Sequence, residues 1–203
     1  AVAKRGSGAS IAASLGARAL VIRSVGTDNN RIGHTGAMRY DPEQPRIPAV
    51  ALSNPDSDIL EYQLNQGQPV SLRINLSARH LDPARSANVI GEIPGSERPE
   101  EIVIIGGHLD SWDLGTGAID DGAGVAITME AARQILLSGK RPKRTIRVVL
   151  FANEEFGLSG AKEYGRLTEV EKHIIGMEAD FGAGKVWQLA SQVAPESLYK
   201  VEA

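Results

Sequence analysis

Three apolar segments in the second half of the chain each lead into residues that can bind a metal ion. They are residues 102–105 before His108, residues 146–151 before Glu154 and Glu155, and residues 174–177 before Asp180. Runs of β-branched apolar residues favour strands. In an open α/β sheet, ligands bind at the carboxyl ends of the strands. The pattern therefore predicts that side chains far apart in sequence converge on one crevice.

The same half of the chain has the order of elements expected of an α/β fold. We predict strands at residues 88–95, 101–107, 145–151 and 173–177, and helices at residues 122–137 and 159–167. The β-branched strands indicate a mixed, mostly parallel sheet flanked by helices that cover both faces. His173 begins the last strand, which we expect to be buried, and is interpreted as a strand-edge histidine rather than a metal ligand.

The first 82 residues have a different pattern and are predicted to form a separate α+β domain. Helices are expected at residues 8–15 and 54–64, ended by Gly16 and Gly67, and strands at residues 19–23, 47–52 and 70–76. The composition changes near Leu81. The predicted boundary divides the chain into domains 1–82 and 83–203.

Composition excludes several classes of function. The chain has 22 basic and 25 acidic side chains in 203 residues, so it lacks the basic surface of a nucleic-acid-binding protein. No apolar run approaches the ~20 residues of a membrane span. The sequence contains no cysteine, which rules out disulfides, thiolate metal ligands and cysteine nucleophiles.

The remaining chemistry is that of carboxylates and imidazole around a cation. His108 can offer one ring nitrogen to a metal, while Asp110 hydrogen-bonds the other nitrogen and so sets the tautomer. Asp120 has two carboxylate oxygens and can bridge two ions. Because neighbouring side chains leave the backbone in different directions, one of Glu154 and Glu155 can bind metal while the other acts as a base.

Four sequence motifs resemble one family of enzymes. They are IGGHLDSWDL at residues 105–114, GAIDDGAGV at 117–125, FANEEFGLSGAKEYG at 151–165 and MEADFGAGK at 177–185. They resemble the co-catalytic zinc exopeptidase family, which contains bacterial di-zinc aminopeptidases and the glutamate carboxypeptidases. The resemblance implies a zinc-exopeptidase fold and hydrolysis of dipeptides or short unblocked peptides by a hydroxide that bridges two zinc ions.

The resemblance also implies roles for single residues. His108 and Asp180 would hold one zinc ion, Asp120 would bridge both ions, Glu155 would bind the second, Glu154 would be the general base, and Asp110 would orient His108. Asp121 follows Asp120 across a peptide bond that is cis in family members. The family's second zinc ion takes a further histidine, which this sequence does not supply. We therefore expect a fragment that lacks both ends and is inactive alone.

Other expectations also rest on the resemblance. Residues 1–82 resemble part of the protease-associated domain that serves many such peptidases as a lid. The resemblance implies a secreted or periplasmic homodimer that acts on short peptides, while the composition predicts no nucleic-acid partner and no membrane span. Three alternatives stay open: aminopeptidase rather than carboxypeptidase or dipeptidase specificity, a non-peptide acyl substrate, and an inactive homologue that acts as a binding module.

Overall fold

Two compact units make up the chain in a computed structural model that describes residues 2–34, 36–180 and 182–185. The first unit comprises residues 1–86 together with Ser111–Thr116 and Glu155–Gly157. The second unit comprises Ala87–Asp110, Gly117–Glu154 and the residues from Leu158 onward. Residues 186–203 of the second predicted domain lie outside the described residues.

Two helices and a pair of parallel strands form the described part of the first unit. They are α1 at Val2–Ser14, β1 at Leu20–Arg23, β2 at Ala49–Leu52 and α2 at Asn54–Asn65. Leu20 lies opposite Ala49, and Arg23 lies opposite Leu52. The strands predicted at residues 19–23 and 47–52 and the second predicted helix are confirmed, whereas the first helix begins at Val2 rather than at Gly8.

The strand predicted at residues 70–76 does not form. Residues 68–88 contain neither helix nor strand. Leu72 and Leu76, two apolar residues of the alternating pattern behind this prediction, are 55% and 53% exposed. An alternating pattern gives a strand only where other elements cover its apolar face. These leucines are not covered, so the prediction was wrong.

The second unit is built on a four-stranded sheet with the order β3, β5, β4, β6. Its strands are β3 at Val89–Ile93, β4 at Arg98–His108, β5 at Arg144–Phe151 and β6 at His173–Glu178. Its helices are α3 at Gly122–Leu137 and α4 at Ser159–Leu167, with a 3-10 turn at Val170–Lys172. β4 pairs in parallel with β5 and β6, and β3 is antiparallel to β5. The predicted mixed, mostly parallel sheet is confirmed.

The helices α3 and α4 lie on opposite faces of this sheet. A Cβ atom added at Gly107 of β4 would lie 3.1 Å from the main-chain nitrogen of Val125 in α3. Tyr164 of α4 instead contacts Arg147 and Phe151 of β5. Gly107 pairs with residue 150, so a Cβ atom at Gly107 would point to the face opposite that of residues 147 and 151. Within the described residues, no helix has the length and apolar character needed to cross a bilayer.

The strand β6 is far more exposed than predicted. It is the edge strand of the described sheet, and Ile174, Ile175 and Met177 are 52%, 50% and 57% exposed. β-branched residues favour a strand, but burial depends on what packs against it. The expectation of a buried strand was therefore wrong here. The core lies around β5 instead, where Val149 is fully buried and Leu150 is 7% exposed.

The order of the strands reverses beside β4. The chain passes from β4 through α3 to β5 on one side, and from β5 through α4 to β6 on the other side. The reversal thus falls between β4 and β6, and such points at the carboxyl ends of strands are common ligand sites in α/β proteins. His108 ends β4 and Asp180 follows β6 by two residues, so both lie at this point.

Candidate metal centre

His108 is buried at the end of β4, with only 1% of its surface exposed. Its Nδ1 lies 2.9 Å from the main-chain oxygen of Asp110. Its Nε2 lies 3.1 Å from Oδ1 of Asp120 and 3.2 Å from Oδ1 of Asp180. A carbonyl oxygen only accepts hydrogen bonds, so Nδ1 carries the proton in the neutral ring. Nε2 then presents its lone pair to the two carboxylates.

The residues that meet at Nε2 suit a divalent cation. One ligand atom each from His108, Asp120 and Asp180 lies within 4.8 Å of the other two. A lone pair and two carboxylate oxygens repel one another unless a positive charge lies between them. One imidazole nitrogen with two carboxylate oxygens is a ligand set that zinc accepts. The donor set present therefore fits zinc.

The acidic surroundings also raise the pKa of His108. Burial lowers this pKa, but the negative charges of Asp180 and Asp121 and the hydrogen bonds to the ring raise it further than burial lowers it. A proton and a metal ion compete for Nε2, because a histidine ligand must be unprotonated. Asp180, the first of the charges that attract the proton, is thus also one of the groups that would hold the ion.

Asp110 contacts His108 through a different atom from the one predicted. Its main-chain oxygen accepts from Nδ1, whereas its carboxylate Oδ1 is 3.6 Å from that nitrogen. The carboxylate instead accepts a hydrogen bond from the Glu154 N–H at 2.8 Å. Since a carbonyl oxygen fixes the tautomer as well as a carboxylate does, the expected effect on His108 is kept. Asp110 also ties the end of β4 to the turn after β5.

Asp120 and Asp121 are joined by a cis peptide bond, as the resemblance implies. The Asp120 side chain is 61% exposed and reaches the His108 ring. Asp121 is 1% exposed and caps α3, accepting from the Gly124 N–H at 3.1 Å. Its other oxygen accepts from the His108 N–H at 3.1 Å. The cap could have been inferred from an aspartate before a helix, but the bond to His108 has no local signal.

Glycine at position 124 allows the first turn of α3 to approach the metal centre. A Cβ atom there would lie 1.7 Å from the main-chain oxygen of Ala179 and 2.1 Å from Oδ1 of Asp121. A side chain at this position would thus displace either the segment before Asp180 or the cap of α3. No local pattern in the sequence marks this glycine, because its requirement comes from a contact with a residue far along the chain.

Glu154 and Glu155 lie half-buried in the turn after β5. Burial raises the pKa of Glu154, the carboxylates of Asp180, Asp110 and Asp120 raise it further, and His108 opposes them. Glu155 belongs to the segment that groups with the first unit. Its role as a ligand of the second ion stays a prediction, as do the roles of the other predicted site residues.

His173 was interpreted from the sequence as a strand-edge histidine rather than a metal ligand. Its ring contacts Tyr164.

A comparison with protein families matches residues 88–194, just over half of the chain, to peptidase family M28. The chain belongs to peptidase family M28. Carboxypeptidase Q of Xenopus laevis is 41% identical over 180 residues, which cover 88% of this chain and 38% of that protein. The M28 chain thus spans about two fifths of the length of the curated relatives it matches. Within the family, the motifs at residues 105–114 and 117–125 most resemble plasma glutamate carboxypeptidase, also called carboxypeptidase Q, and the comparison confirms this resemblance.

Solved structures agree with this assignment. The peptidase M28 precursor from Shewanella amazonensis is 48% identical and superposes with a TM-score of 0.89, covering 98% of this chain and 46% of that chain. The aminopeptidase from Aneurinibacillus sp. strain AM-1 is 29% identical with a TM-score of 0.54, covering 85% of this chain and 42% of that chain. The predicted zinc-exopeptidase fold is therefore confirmed.

Proposed function

We propose that the whole protein is a zinc-dependent exopeptidase that hydrolyses dipeptides or short unblocked peptides. The observation that carries this proposal is the approach of His108 Nε2 to the carboxylates of Asp120 and Asp180, within 3.2 Å. Membership of peptidase family M28 and the similarity to carboxypeptidase Q support the reaction type.

Two zinc ions are proposed for the complete site. His108, Asp120 and Asp180 would hold the first ion, while Asp120 and Glu155 would contribute to the second. When bound, zinc lowers the pKa of a water molecule and polarises a carbonyl group. The chain's own part is to orient these ligands, and Asp110 and Asp121 do so through their hydrogen bonds to His108.

Glu154 is proposed as the general base. Of the two adjacent glutamates, it is the one that the resemblance does not assign to zinc, and its main-chain N–H donates to Asp110 Oδ1 at 2.8 Å. It would take a proton from the attacking water and then pass it to the leaving amine nitrogen. The carboxylate is regenerated once the peptide C–N bond has broken, so the protons balance over one cycle.

The test compares two neighbouring substitutions in the whole protein. We expect Glu154→Gln to lower kcat at least about a hundredfold, the lower end for loss of a general base, and to leave the zinc content unchanged. Glu155→Gln, the matched control, should lose zinc as well as activity. Zinc analysis and dipeptide hydrolysis measure both. Near-normal turnover in Glu154→Gln would refute its role, and loss of zinc from that variant alone would mean that the two roles are exchanged.

Aminopeptidase specificity is the second candidate, favoured by the similarity to the Aneurinibacillus aminopeptidase. Dipeptides blocked at one end separate the candidates, because an aminopeptidase needs a free amino group and a carboxypeptidase a free carboxylate. The presence of both Glu154 and Glu155 argues against an inactive binding module. The secreted or periplasmic location, the homodimer and the protease-associated domain stay predictions.

A further inference from the structure

The strand that leads to Asp180 contains one extra residue near its start. Ile102 of β4 lies opposite His173, but the next residue, Val103, lies opposite Ile175. The intervening residue of β6 therefore has no partner on β4, as in a β-bulge. Bulges often re-aim side chains beside functional sites.

This extra residue decides which side chain comes opposite His108. Beyond it, Gly106 pairs with Glu178. The same register, continued for two residues, places Asp180 opposite His108 and on the same face of the sheet. Without the extra residue, Ala179 would come opposite His108. The Asp180 side chain would then point to the other face, because a shift of one residue reverses every side chain.

A chain of hydrogen bonds holds the strand at this irregularity. Arg147 Nη1 donates to the Tyr164 hydroxyl oxygen at 2.7 Å, and that hydroxyl lies 2.7 Å from His173 Nε2. His173 Nδ1 lies 3.2 Å from the main-chain oxygens of Glu169 and Val170. Arginine only donates and carbonyl oxygens only accept. The Tyr164 O–H therefore donates to Nε2, and Nδ1–H donates to the two carbonyls.

Arg147 and Tyr164, which donate in this series of hydrogen bonds, are themselves packed within the second unit. Tyr164 is only 8% exposed, and its ring packs edge-on against Phe151 and against His173, with ring centroids 6.0 and 5.6 Å apart. Arg147 of β5 also donates to Glu92 of β3 at 2.6 Å. The start of β6, which is otherwise an exposed edge strand, is thus tied to α4, β5 and β3.

We propose that His173, held by Tyr164, is a positioning residue for the metal ligand Asp180. By fixing the start of β6 it would keep the extra residue in place, and so keep the register that brings Asp180 to His108. The inference rests on the proposed metal site. It gives a role to a histidine whose ring contacts Tyr164 and the main chain rather than the ligands.

Zinc affinity, measured in the whole protein by competition with a chromophoric chelator, tests this proposal. We expect Tyr164→Phe and His173→Phe to bind zinc about tenfold more weakly, the lower end of the range for residues that orient ligands. Tyr164→Phe removes one oxygen atom and keeps the packed ring, so the fold should survive. His173→Gln should restore most of the affinity, because its amide can accept from Tyr164 and donate to a carbonyl.

Thr145→Val is the matched control for general destabilisation. Thr145 lies in the same row of the sheet, opposite Ile102, and is 4% exposed. Its hydroxyl donates to the Pro99 oxygen at 2.7 Å and accepts from the Gly95 N–H at 3.1 Å. The variant should melt at a lower temperature yet bind zinc within twofold of the wild type. Equal weakening of zinc binding in Thr145→Val and Tyr164→Phe would overturn the positioning role.

Asp180→Ala separates this inference from the proposed function. It should lose far more zinc affinity than the two phenylalanine variants. Wild-type affinity in Asp180→Ala would remove the metal site and the inference with it. If Asp180→Ala loses zinc while Tyr164→Phe and His173→Phe keep wild-type affinity, the metal site stands and the positioning role is wrong.

Discussion

At the scale of single residues, the two ring nitrogens of His108 have different partners. Nδ1 faces the main-chain oxygen of Asp110, and Nε2 faces the carboxylates of Asp120 and Asp180. The side chain thus has one tautomer that suits a metal ion. Neighbouring Asp121 holds the main chain of the same residue. The ligand is therefore oriented from both its ring and its backbone.

The two carboxylates at Nε2 should not be equivalent. We expect Asp120→Ala to weaken zinc binding more than Asp180→Ala, because a bridging carboxylate serves both ions and offsets the repulsion between them. Zinc titration into each metal-free variant gives the order. Glu97→Gln, which removes an exposed carboxylate paired with Lys143, is the control and should bind like the wild type. Equal losses in the two alanine variants would count against Asp120 as the bridge.

At the scale of elements, the start of α2 is set by a local cap. Ser53 is 2% exposed, and its hydroxyl accepts a hydrogen bond from the Asp56 N–H at 3.2 Å. Hydrogen bonds from Arg31 and then from Ser53 hold the pKa of Asp56 below its usual value. A serine followed by an acidic residue three positions later is a helix start that sequence alone identifies.

Loss of this cap should destabilise α2 by about 1 kcal/mol, the usual cost of replacing an N-cap serine with alanine. Ser53→Ala is therefore expected to speed hydrogen exchange of the α2 amides. Ser57→Ala is the matched control in the same helix, because the buried Ser57 hydroxyl has no hydrogen-bond partner among the described residues. Exchange should stay near wild type in that variant. Unchanged exchange in Ser53→Ala would show that the cap does not stabilise the helix.

Local sequence patterns indicate where strands are favoured, but not which segments pair or become buried. β1 and residues 70–76 both have apolar residues in a strand-like pattern, but only β1 has a partner strand, at Ala49–Leu52. β6 was predicted as a strand and is one, yet it lies at the edge of the described sheet and is exposed. Intrinsic preference favours a strand locally, whereas pairing and burial depend on distant segments.

At the scale of the whole molecule, the 203-residue chain supplies an unequal set of ligands. Of the four ligands proposed above, His108, Asp120 and Asp180 would serve the first ion, while Asp120 and Glu155 would serve the second. Zinc in proteins normally takes at least three protein ligands. We therefore expect the chain by itself to hold one zinc ion firmly and a second weakly, and not to hydrolyse dipeptides.

Metal analysis after dialysis and a dipeptide assay test this expectation. The whole protein, assayed in parallel, should hold both ions and be active. The exposed Ile174, Ile175 and Met177 of β6 should also make the isolated chain prone to aggregate. A monomeric chain that holds two zinc ions and hydrolyses dipeptides at an enzyme-like rate would contradict the ligand assignment.

The sequence by itself determined the class of fold and the residues of the candidate site. Apolar periodicity and a glycine stop act over a few residues, so they predicted α3 at its observed bounds. The helix α4 was also predicted at its observed bounds. The motifs around His108, Asp120, Glu154 and Asp180 indicated metal chemistry, because residue type and spacing can be read from short stretches of sequence.

Only the tertiary structure decided how these residues meet. The order of the strands placed the ends of β4 and β6 side by side. One extra residue in β6 set the register that puts Asp180 on the same face as His108. The close approach of α3 at Gly124 and the second bond of Asp121 likewise join segments far apart in sequence. Such contacts depend on pairing and packing across the sheet, for which no short stretch of sequence carries a signal.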